Sequence, residues 1–208
     1  RQQMLKGDKP RVCGSCYLKE KDSNYSPRIQ ETIDWLKKFG EPNIKKPTLQ
    51  YVDIRFDPTC NLKCKMCGPG SSTLWQKEKK VHIPLNDLNK ESLYSVDKKL
   101  LKKVYLAGGE PTFIKGYQLF LDELHQVNPD CEVIINTNLK KLPDSWKAII
   151  KKFKNLTIVC SCDAIGTLGT YVRYPLGWQE FEENVKFVSE HANFLQFNLV
   201  VYNLTSHK

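Results

Sequence analysis

The sequence has no long apolar run. None of its segments approaches the roughly 18 apolar residues that a membrane-spanning helix needs, so we expect no membrane association. A secretory signal is not visible either, but the chain opens at Arg1 rather than Met, so we expect a fragment of a longer protein that leaves room for an upstream segment. Internal repeats and low-complexity tracts are also absent. With 208 residues, 40% of them hydrophobic and 26% charged, the chain is long enough for one sizeable globular domain.

Acidic residues are the minority among the charged residues. The chain has 32 Lys and Arg against 23 Asp and Glu, which gives a net charge of +9. Lys pairs recur along the whole length, mostly on the outer faces of predicted helices, and this pattern is typical of a solvated basic surface. The alternative is a groove that follows phosphate groups, because general positive charge attracts nucleic acid without reading its sequence.

The most informative stretch lacks a fourth cysteine. Cys60, Cys64 and Cys67 have a C-x3-C-x2-C spacing, one thiol fewer than an ordinary four-cysteine iron–sulfur or zinc site. A cubane iron–sulfur cluster held by three thiolates keeps one iron open for a ligand from outside the protein. Cys13 and Cys16 form a second short spacing. Such spacings are typical of metal ligands rather than disulfides, and they indicate a reducing cytosol.

Predicted strands and helices alternate through the larger part of the chain. Several strands are continuously apolar, which predicts an α/β fold with a parallel sheet covered by helices. Right-handed crossovers allow either an open doubly wound sheet or part of a barrel. The chain stops just after the fifth strand, so we expect later elements to be missing. The predicted strands are 49–56, 103–106, 132–137, 156–163 and 195–202; the predicted helices are 71–80, 116–127, 144–153 and 178–191, with an irregular insertion at 82–100 that holds a short helix at 91–99 and a loop at 164–177.

A domain boundary is predicted between residues 1–48 and residues 49–208. Residues 1–25 are predicted to form a polar, irregular segment around Cys13 and Cys16. Ser26 then caps a helix that Gly40 ends. Residues 41–48, rich in Pro and Lys, form a linker. The N-terminal part is therefore an appendage to the α/β domain.

Small or polar residues follow nearly every predicted strand. Because the carboxyl ends of parallel strands meet at one edge of a sheet, we expect these residues to converge on a ligand. On the fourth strand, a period of two places Ser161 and Asp163 on one face and Cys160 and Cys162 on the other, where we interpret the cysteines, like Cys131, as structural. The candidate strand-end residues are Cys60, Cys64, Cys67, Gly108, Gly109, Glu110, Asn136, Thr137, Asn138, Ser161, Asp163 and Asn203.

Two motifs, one after each of the first two strands, together resemble the radical S-adenosylmethionine (SAM) enzymes. The resemblance covers about 49–208 and implies a partial (β/α)6 barrel, a [4Fe-4S] cluster on the three cysteines and SAM on the fourth iron. Met66 departs from the aromatic residue usual in the family, and its polarisable apolar side chain can cover the cluster as well. The motifs are Cys60-x3-Cys64-x2-Cys67 and Gly108-Gly109-Glu110-Pro111.

The resemblance implies a role for each remaining candidate. Gly108 and Gly109 let the backbone approach SAM closely, and the Glu110 carboxylate accepts a hydrogen bond from the SAM amino group. Further residues match positions that hold SAM in the family: Ser161 and Asp163 near the ribose, Arg173 as a basic contact, and the strand-end residues Thr137, Asn138 and Asn203, which strand capping explains equally well.

The implied reaction begins with one-electron reduction of SAM. Reductive cleavage gives a 5′-deoxyadenosyl radical that abstracts a hydrogen from the substrate, while the protein positions the cofactors and excludes competitors. The resemblance also implies an external electron donor of flavodoxin or ferredoxin type. We expect an oxidoreductase that modifies a peptide or protein; the alternative substrate is a nucleic acid or nucleotide.

The appendage resembles the N-terminal half of a twitch or SPASM-like auxiliary-cluster extension. Its pattern is Cys13-x2-Cys16-Tyr-x2-Glu followed by Ser26-x-Arg28. Two thiols cannot complete a cluster, so the resemblance implies a second cluster only in the intact protein. A zinc knuckle and unligated thiols are alternatives. A different class is a non-enzymatic protein with a four-cysteine zinc site made by the appendage cysteines and two of the three others, which leaves Cys60 and the Gly-Gly-Glu-Pro tip unexplained.

Overall fold

The chain divides into two compact units, Arg1–Thr48 and Leu49–Lys208. The computed structural model describes residues 2–43, 45–83 and 95–201, and every structural statement below refers to these. In this part of the chain, no helix has the length and apolar character needed to cross a membrane.

The N-terminal unit is helical. It contains α1 (Gln2–Leu5), a 3₁₀ turn at Arg11–Cys13, α2 (Gly14–Ser23) and α3 (Pro27–Phe39). The predicted helix from Ser26 to Gly40 is confirmed: the Ser26 hydroxyl accepts a hydrogen bond from the Ile29 amide at 3.2 Å. The irregular segment predicted for residues 1–25 is wrong, because most of it is helical. Polar helices such as α2 carry little apolar periodicity, so a search for an apolar stripe overlooks them.

Five parallel strands form the sheet of the second unit, in the sequential order β1-β2-β3-β4-β5. A doubly wound sheet reverses its strand order at a switch point, and no reversal occurs among the strands that the structure describes. Sequential order with right-handed crossovers places the helices on one face, as in a barrel segment. The predicted α/β fold, a partial barrel, is therefore confirmed. The strands are β1 (Tyr51–Ile54), β2 (Lys103–Leu106), β3 (Glu132–Thr137), β4 (Leu156–Ser161) and β5 (Phe194–Asn198).

The helices between the strands begin and end close to the predicted positions. They are α4 (Thr73–Lys79), α5 (Lys115–Val127), α6 (Asp144–Lys152), α7 (Gly166–Val172) and α8 (Trp178–His191). The helix α7 lies where a loop was predicted. A Cβ at Gly169 would approach the Trp178 ring to 2.7 Å, so contact with the next helix, invisible to local periodicity, fixes this segment. The helix predicted at 91–99 lies partly outside the described residues, which show a 3₁₀ turn at Lys98–Leu100.

The core lies between the sheet and the helices. Alternate strand residues such as Val104, Leu106, Val133 and Ile135 are almost completely buried. The other sheet face carries half-exposed residues in the same strands. Tyr117 of α5 joins the layers, because its hydroxyl contacts the Phe56 amide and the carbonyls of Ile54 and Ala107, at the ends of β1 and β2. Burial raises the pKa of this phenol, so it remains a neutral donor.

Candidate functional site

The cysteine loop lies between β1 and α4 and is held by hydrogen bonds along its length. The Cys67 amide donates to the Cys64 carbonyl at 3.1 Å, which forms a tight turn. Ser72 caps α4 and also donates from its hydroxyl to the Leu62 carbonyl. The Trp75 indole donates to the Cys64 carbonyl at 2.9 Å. The helix α4 therefore fixes the loop that carries the thiols.

The three thiols of the loop share one cavity but differ in exposure. Cys64 is buried, Cys60 is half-buried and Cys67 is exposed. Burial raises the pKa of the Cys60 thiol to about 11, while a hydrogen bond from Cys64 lowers the pKa of Cys67. No group of three or more His, Cys, Asp or Glu in the described ranges is spaced for a single metal ion. A cubane cluster poses a different requirement, because each cysteine binds a different iron.

The cavity measures about 290 Å³ and joins the cysteine loop to the ends of β2, β3 and β4. Its lining combines thiols, backbone and polar side chains, as small-molecule sites do. The predicted convergence of strand-end residues therefore holds for most of the candidates. Those that line the cavity are Cys60, Cys64, Cys67, Gly108, Gly109, Glu110, Asn136, Thr137, Asn138, Ser161 and Arg173.

Gly108 and Gly109 form a bend that only glycine allows. Both have positive φ, +82° and +50°. A Cβ on Gly108 would lie 2.9 Å from the Arg55 Cβ, and one on Gly109 would lie 2.3 Å from the Thr59 carbonyl oxygen. The Glu110 amide also donates to that Thr59 carbonyl at 2.8 Å. The two glycines thus bring the tip of β2 against the segment that leads into Cys60.

Glu110 is buried and its carboxylate is occupied by donors from the protein itself. Its oxygens accept from the Thr112 amide at 3.0 Å and the Thr112 hydroxyl at 2.7 Å, from the Thr137 hydroxyl at 2.6 Å and from the Asn138 amide at 2.7 Å. Burial raises the pKa of Glu110, against these hydrogen bonds, which favour the charged form. Four donors match the acceptor capacity of a carboxylate. In this structure Glu110 joins the ends of β2 and β3.

Asn138 lies beside the first cysteine. Its amide nitrogen donates to the Asn61 side-chain oxygen at 2.9 Å and lies 3.9 Å from the Cys60 sulfur. The Lys140 ammonium donates to the Asn61 carbonyl at 3.3 Å. The Asn61 amide nitrogen is buried without a partner among the described residues. Sequence reasoning missed Asn61, although its position directly after Cys60 was a signal for it.

Ser161 belongs to a polar row across the open face of the sheet. Its hydroxyl donates to the Asn136 oxygen at 3.0 Å, and the Asn136 amide donates to the Tyr105 hydroxyl at 3.1 Å. Arg55 lies over the Tyr105 ring and pairs with Asp53 at 3.0 Å. Sequence reasoning missed Arg55, which the period of two along β1 places beyond Asp53 on the same face.

Asp163 and Arg173 form a buried ion pair, with 2.8 Å between the Arg173 Nε and an Asp163 oxygen. The other Asp163 oxygen accepts from the Val200 amide at 2.8 Å. The Arg173 guanidinium also donates to the Cys64 sulfur at 3.8 Å. Arg173 lines the cavity, whereas Asp163 lies behind it and holds Arg173 and the segment after β5. The candidate Asn203 lies outside the described residues.

Cys13 and Cys16 lie at the start of α2 in the N-terminal unit, and both are half-buried free thiols. Other residues of the sequence pattern that contains these two cysteines form a hydrogen-bond network. The Glu20 carboxylate accepts from Arg28 at 2.6 Å and from the Ser26 hydroxyl at 2.5 Å. Arg28 lies over the Tyr17 ring at 4.9 Å. The non-cysteine positions of the pattern therefore have a structural role within this unit.

The chain also resembles known proteins, and it spans only part of each. GTP 3′,8-cyclase of Helicobacter pylori is 29% identical over 112 residues, which cover 48% of this chain and 31% of that protein. The crystal structure of Streptococcus suis SuiB has a TM-score of 0.57 at 19% identity, covering 93% of this chain and 46% of that one. SuiB bound to its precursor peptide SuiA has a TM-score of 0.55 at 19% identity, covering 88% and 40%. These structural neighbours share the fold.

A family comparison covers more than half of the chain. The profile of the Radical SAM superfamily matches residues 54–195, from the end of β1 into β5. The matched range contains the cysteine loop, the glycine bend of β2 and the polar ends of β3 and β4. The chain belongs to the radical SAM superfamily.

Proposed function

We propose that Cys60, Cys64 and Cys67 hold a [4Fe-4S] cluster and that SAM binds its open iron in the adjoining cavity. The observation that carries this proposal is the convergence of three thiols, a glycine bend and polar strand ends on one cavity. The donor set fits, because three thiolates leave one iron for a ligand from outside the protein. When bound, these cofactors supply radical chemistry, begun by one-electron cleavage of SAM, that takes a hydrogen atom from the substrate.

The protein's own residues position and enclose the cofactors. The backbone of Gly108 and Gly109 faces the cavity without side chains, so a ligand can approach it closely. Asn138 and Arg173 lie beside the sulfurs of Cys60 and Cys64, where N–H donors stabilise thiolate charge. Met66 adds apolar lining, which excludes water.

We assign residues 49–208 to the catalytic core and residues 1–48 to an extension that carries part of an auxiliary site. The chain spans about a third of the length of the Helicobacter pylori relative. In this proposal Cys13 and Cys16 supply two thiolates to the auxiliary site. We also propose a reducing compartment such as the cytosol, because the short cysteine spacings are typical of metal ligands and not of disulfides.

We propose a peptide or protein as the substrate. The support is the fold shared with SuiB, which has been solved with its precursor peptide and covers most of this chain, including part of the N-terminal unit. A nucleotide is the second candidate, because the Helicobacter pylori relative is a GTP cyclase. Ionic strength separates the two, since binding of a polyphosphate weakens steeply with salt. A steep salt dependence would favour the nucleotide.

Anaerobic reconstitution with iron and sulfide tests the cofactor assignment. We expect about four irons per chain at the core site and SAM cleavage on addition of dithionite. Cys64→Ala should lose the core iron, whereas Cys162→Ala, a change of the same kind at the end of β4, should keep it. Cys13→Ala should also keep the core iron. A colourless protein that takes up zinc and no iron would refute the assignment.

A further inference from the structure

A basic surface accompanies the cysteine loop. Residues 61–80 contain five lysines and one glutamate, so they contribute +4 of the net charge of +9. Residues 164–178, which pair with this loop, contain no Asp or Glu. The pairing is direct: the Lys63 amide donates to the Tyr174 carbonyl at 2.7 Å, and the Lys65 amide donates to the Val172 carbonyl at 2.8 Å.

Three lysine side chains of this surface lie over aromatic rings. The Lys65 ammonium is 4.8 Å from the centroid of Tyr171, and the Lys63 ammonium is 5.2 Å from that of Tyr174. Tyr171 and Tyr174 remain 54% and 51% exposed. The Lys79 ammonium lies 5.6 Å from a Trp75 ring. We call these residues the lysine–aromatic face; they are Lys63, Lys65, Lys79, Trp75, Tyr171 and Tyr174.

The lysine–aromatic face is connected to the thiols but does not line the cavity. Trp75 donates to the Cys64 carbonyl at 2.9 Å, which links the face to a cluster ligand by one hydrogen bond. The cavity lining includes the three thiols and none of the six face residues. A protein bound to the face would therefore approach the cluster site while the cavity stays free for SAM and substrate.

We propose that the lysine–aromatic face docks an acidic electron-transfer protein of the flavodoxin class. The proposal rests on the proposed function, which needs one electron for each SAM cleaved. A flavin hydroquinone gives up one electron and becomes a semiquinone, and the cluster on Cys60, Cys64 and Cys67 is reduced by that electron. The path passes Trp75 and Cys64.

The charge and the aromatic content of the lysine–aromatic face fit this partner. Clustered lysines attract a partner of opposite charge and raise its association rate. Exposed tyrosines among these lysines suit the small, transient interfaces of redox partners. A lysine lies over each of the three aromatic rings, which leaves less ring area for stacking on bases, the contact that single-stranded nucleic acid binding uses.

The test compares two reductants on the reconstituted protein. Flavodoxin hydroquinone must dock, whereas dithionite is small and needs no docking surface. For Lys65→Glu/Lys79→Glu, we expect the ratio of the flavodoxin-driven to the dithionite-driven rate of cluster bleaching to fall by about 10-fold at low salt. The control Lys99→Glu/Lys154→Glu changes two exposed lysines at the amino-terminal ends of β2 and β4 and should leave this ratio unchanged.

Cross-linking supplies a readout that does not depend on cluster reduction or on the variants. A carbodiimide joins lysine amines to carboxylates in direct contact, so oxidised flavodoxin and the wild-type chain should couple through Lys63, Lys65 or Lys79. Cross-links confined to other lysines, or an unchanged rate ratio in Lys65→Glu/Lys79→Glu, would overturn the proposal. Protection of the same lysines by a single-stranded oligonucleotide, but not by flavodoxin, would overturn it in favour of nucleic acid.

Failure of the docking proposal is distinguishable from failure of the proposed function. If the chain takes up iron and cleaves SAM with dithionite but reacts with flavodoxin at a salt-independent rate, the proposed function is supported and the docking proposal is refuted. If the chain takes up no iron, or does not cleave SAM with dithionite, the proposed function itself is refuted.

Discussion

The Thr137 hydroxyl donates a hydrogen bond of 2.6 Å to the Glu110 carboxyl group, so the ends of β2 and β3 share one buried acceptor. Asn138, the next residue, donates its amide to the same carboxylate and its side chain to Asn61. The end of β3 is thus held by the segment that follows β2 and by the cysteine loop. This arrangement fixes the edge of the sheet on which the cysteine loop lies.

Glu110 is expected to support the fold as well as the cavity. Glu110→Ala removes the acceptor of four hydrogen bonds and leaves buried donors unpaired, so we expect the free energy of unfolding of the cofactor-free protein to fall by about 3 kcal/mol. Urea denaturation measures it. Glu182→Ala, an exposed change on α8, is the control. Loss of SAM affinity with unchanged unfolding would instead make Glu110 a direct SAM ligand.

The glycine bend predicts a sharp contrast between two similar changes. In Gly109→Ala the new Cβ meets the Thr59 carbonyl at a positive φ, so we expect a loss of roughly 2–4 kcal/mol in unfolding free energy. Gly70→Ala adds the same group in open space near the cysteine loop and should be nearly neutral. Thermal unfolding of the two variants compares them. Equal thermal unfolding midpoints in the two variants would show that the bend accommodates a Cβ at residue 109 without loss of stability.

Asn138 is expected to slow the loss of iron. Asn138→Ala removes the amide beside the Cys60 sulfur and the bond to Asn61, and loss of such outer contacts weakens metal binding by about 10-fold. Release of iron to a chelator, followed by absorbance, gives the rate. Asn155→Ala removes a bond to the Asp130 carbonyl at the opposite end of the strands and serves as control. Equal release rates would separate Asn138 from the cluster site.

The N-terminal unit should respond to acid through Glu20. Hydrogen bonds from Arg28 and then Ser26 lower the pKa of this carboxyl below its ordinary value of 4.5. Because the pKa of Glu20 is lower in the folded state than in the unfolded state, the charged carboxylate stabilises the fold at pH values above the ordinary pKa. This stabilisation is lost as the pH falls through the lowered pKa of the folded state. Wild type should therefore protect the amides of α2 and α3 better than Glu20→Gln at neutral pH. The difference should vanish in acid; hydrogen exchange, corrected for intrinsic rates, measures it.

Local patterns predicted the framework, and long-range contacts decided the roles within it. Alternation of apolar strands with helices is a property of neighbouring residues, so β2 to β4 and the helices α5, α6 and α8 were predicted closely. The occupancy of the Glu110 carboxylate depends on Thr137 and Asn138, 27 and 28 residues away. The contact of Arg173 with Cys64 also joins residues far apart in the sequence, so local patterns did not predict it. The helix α7 was not predicted because it is stabilised by packing against Trp178 and not by its own periodicity.

The contacts of the cysteine loop also set an order of events during synthesis. Cys60 gains its neighbour Asn138 only 78 residues later in the chain, and Cys64 gains Arg173 only 109 residues later. A ribosome that has just released the three cysteines therefore presents a loop without its supports. The arrangement described above is therefore complete only after β3, β4 and α7 have emerged, so the surroundings of the thiols form together with the sheet and not with the loop alone.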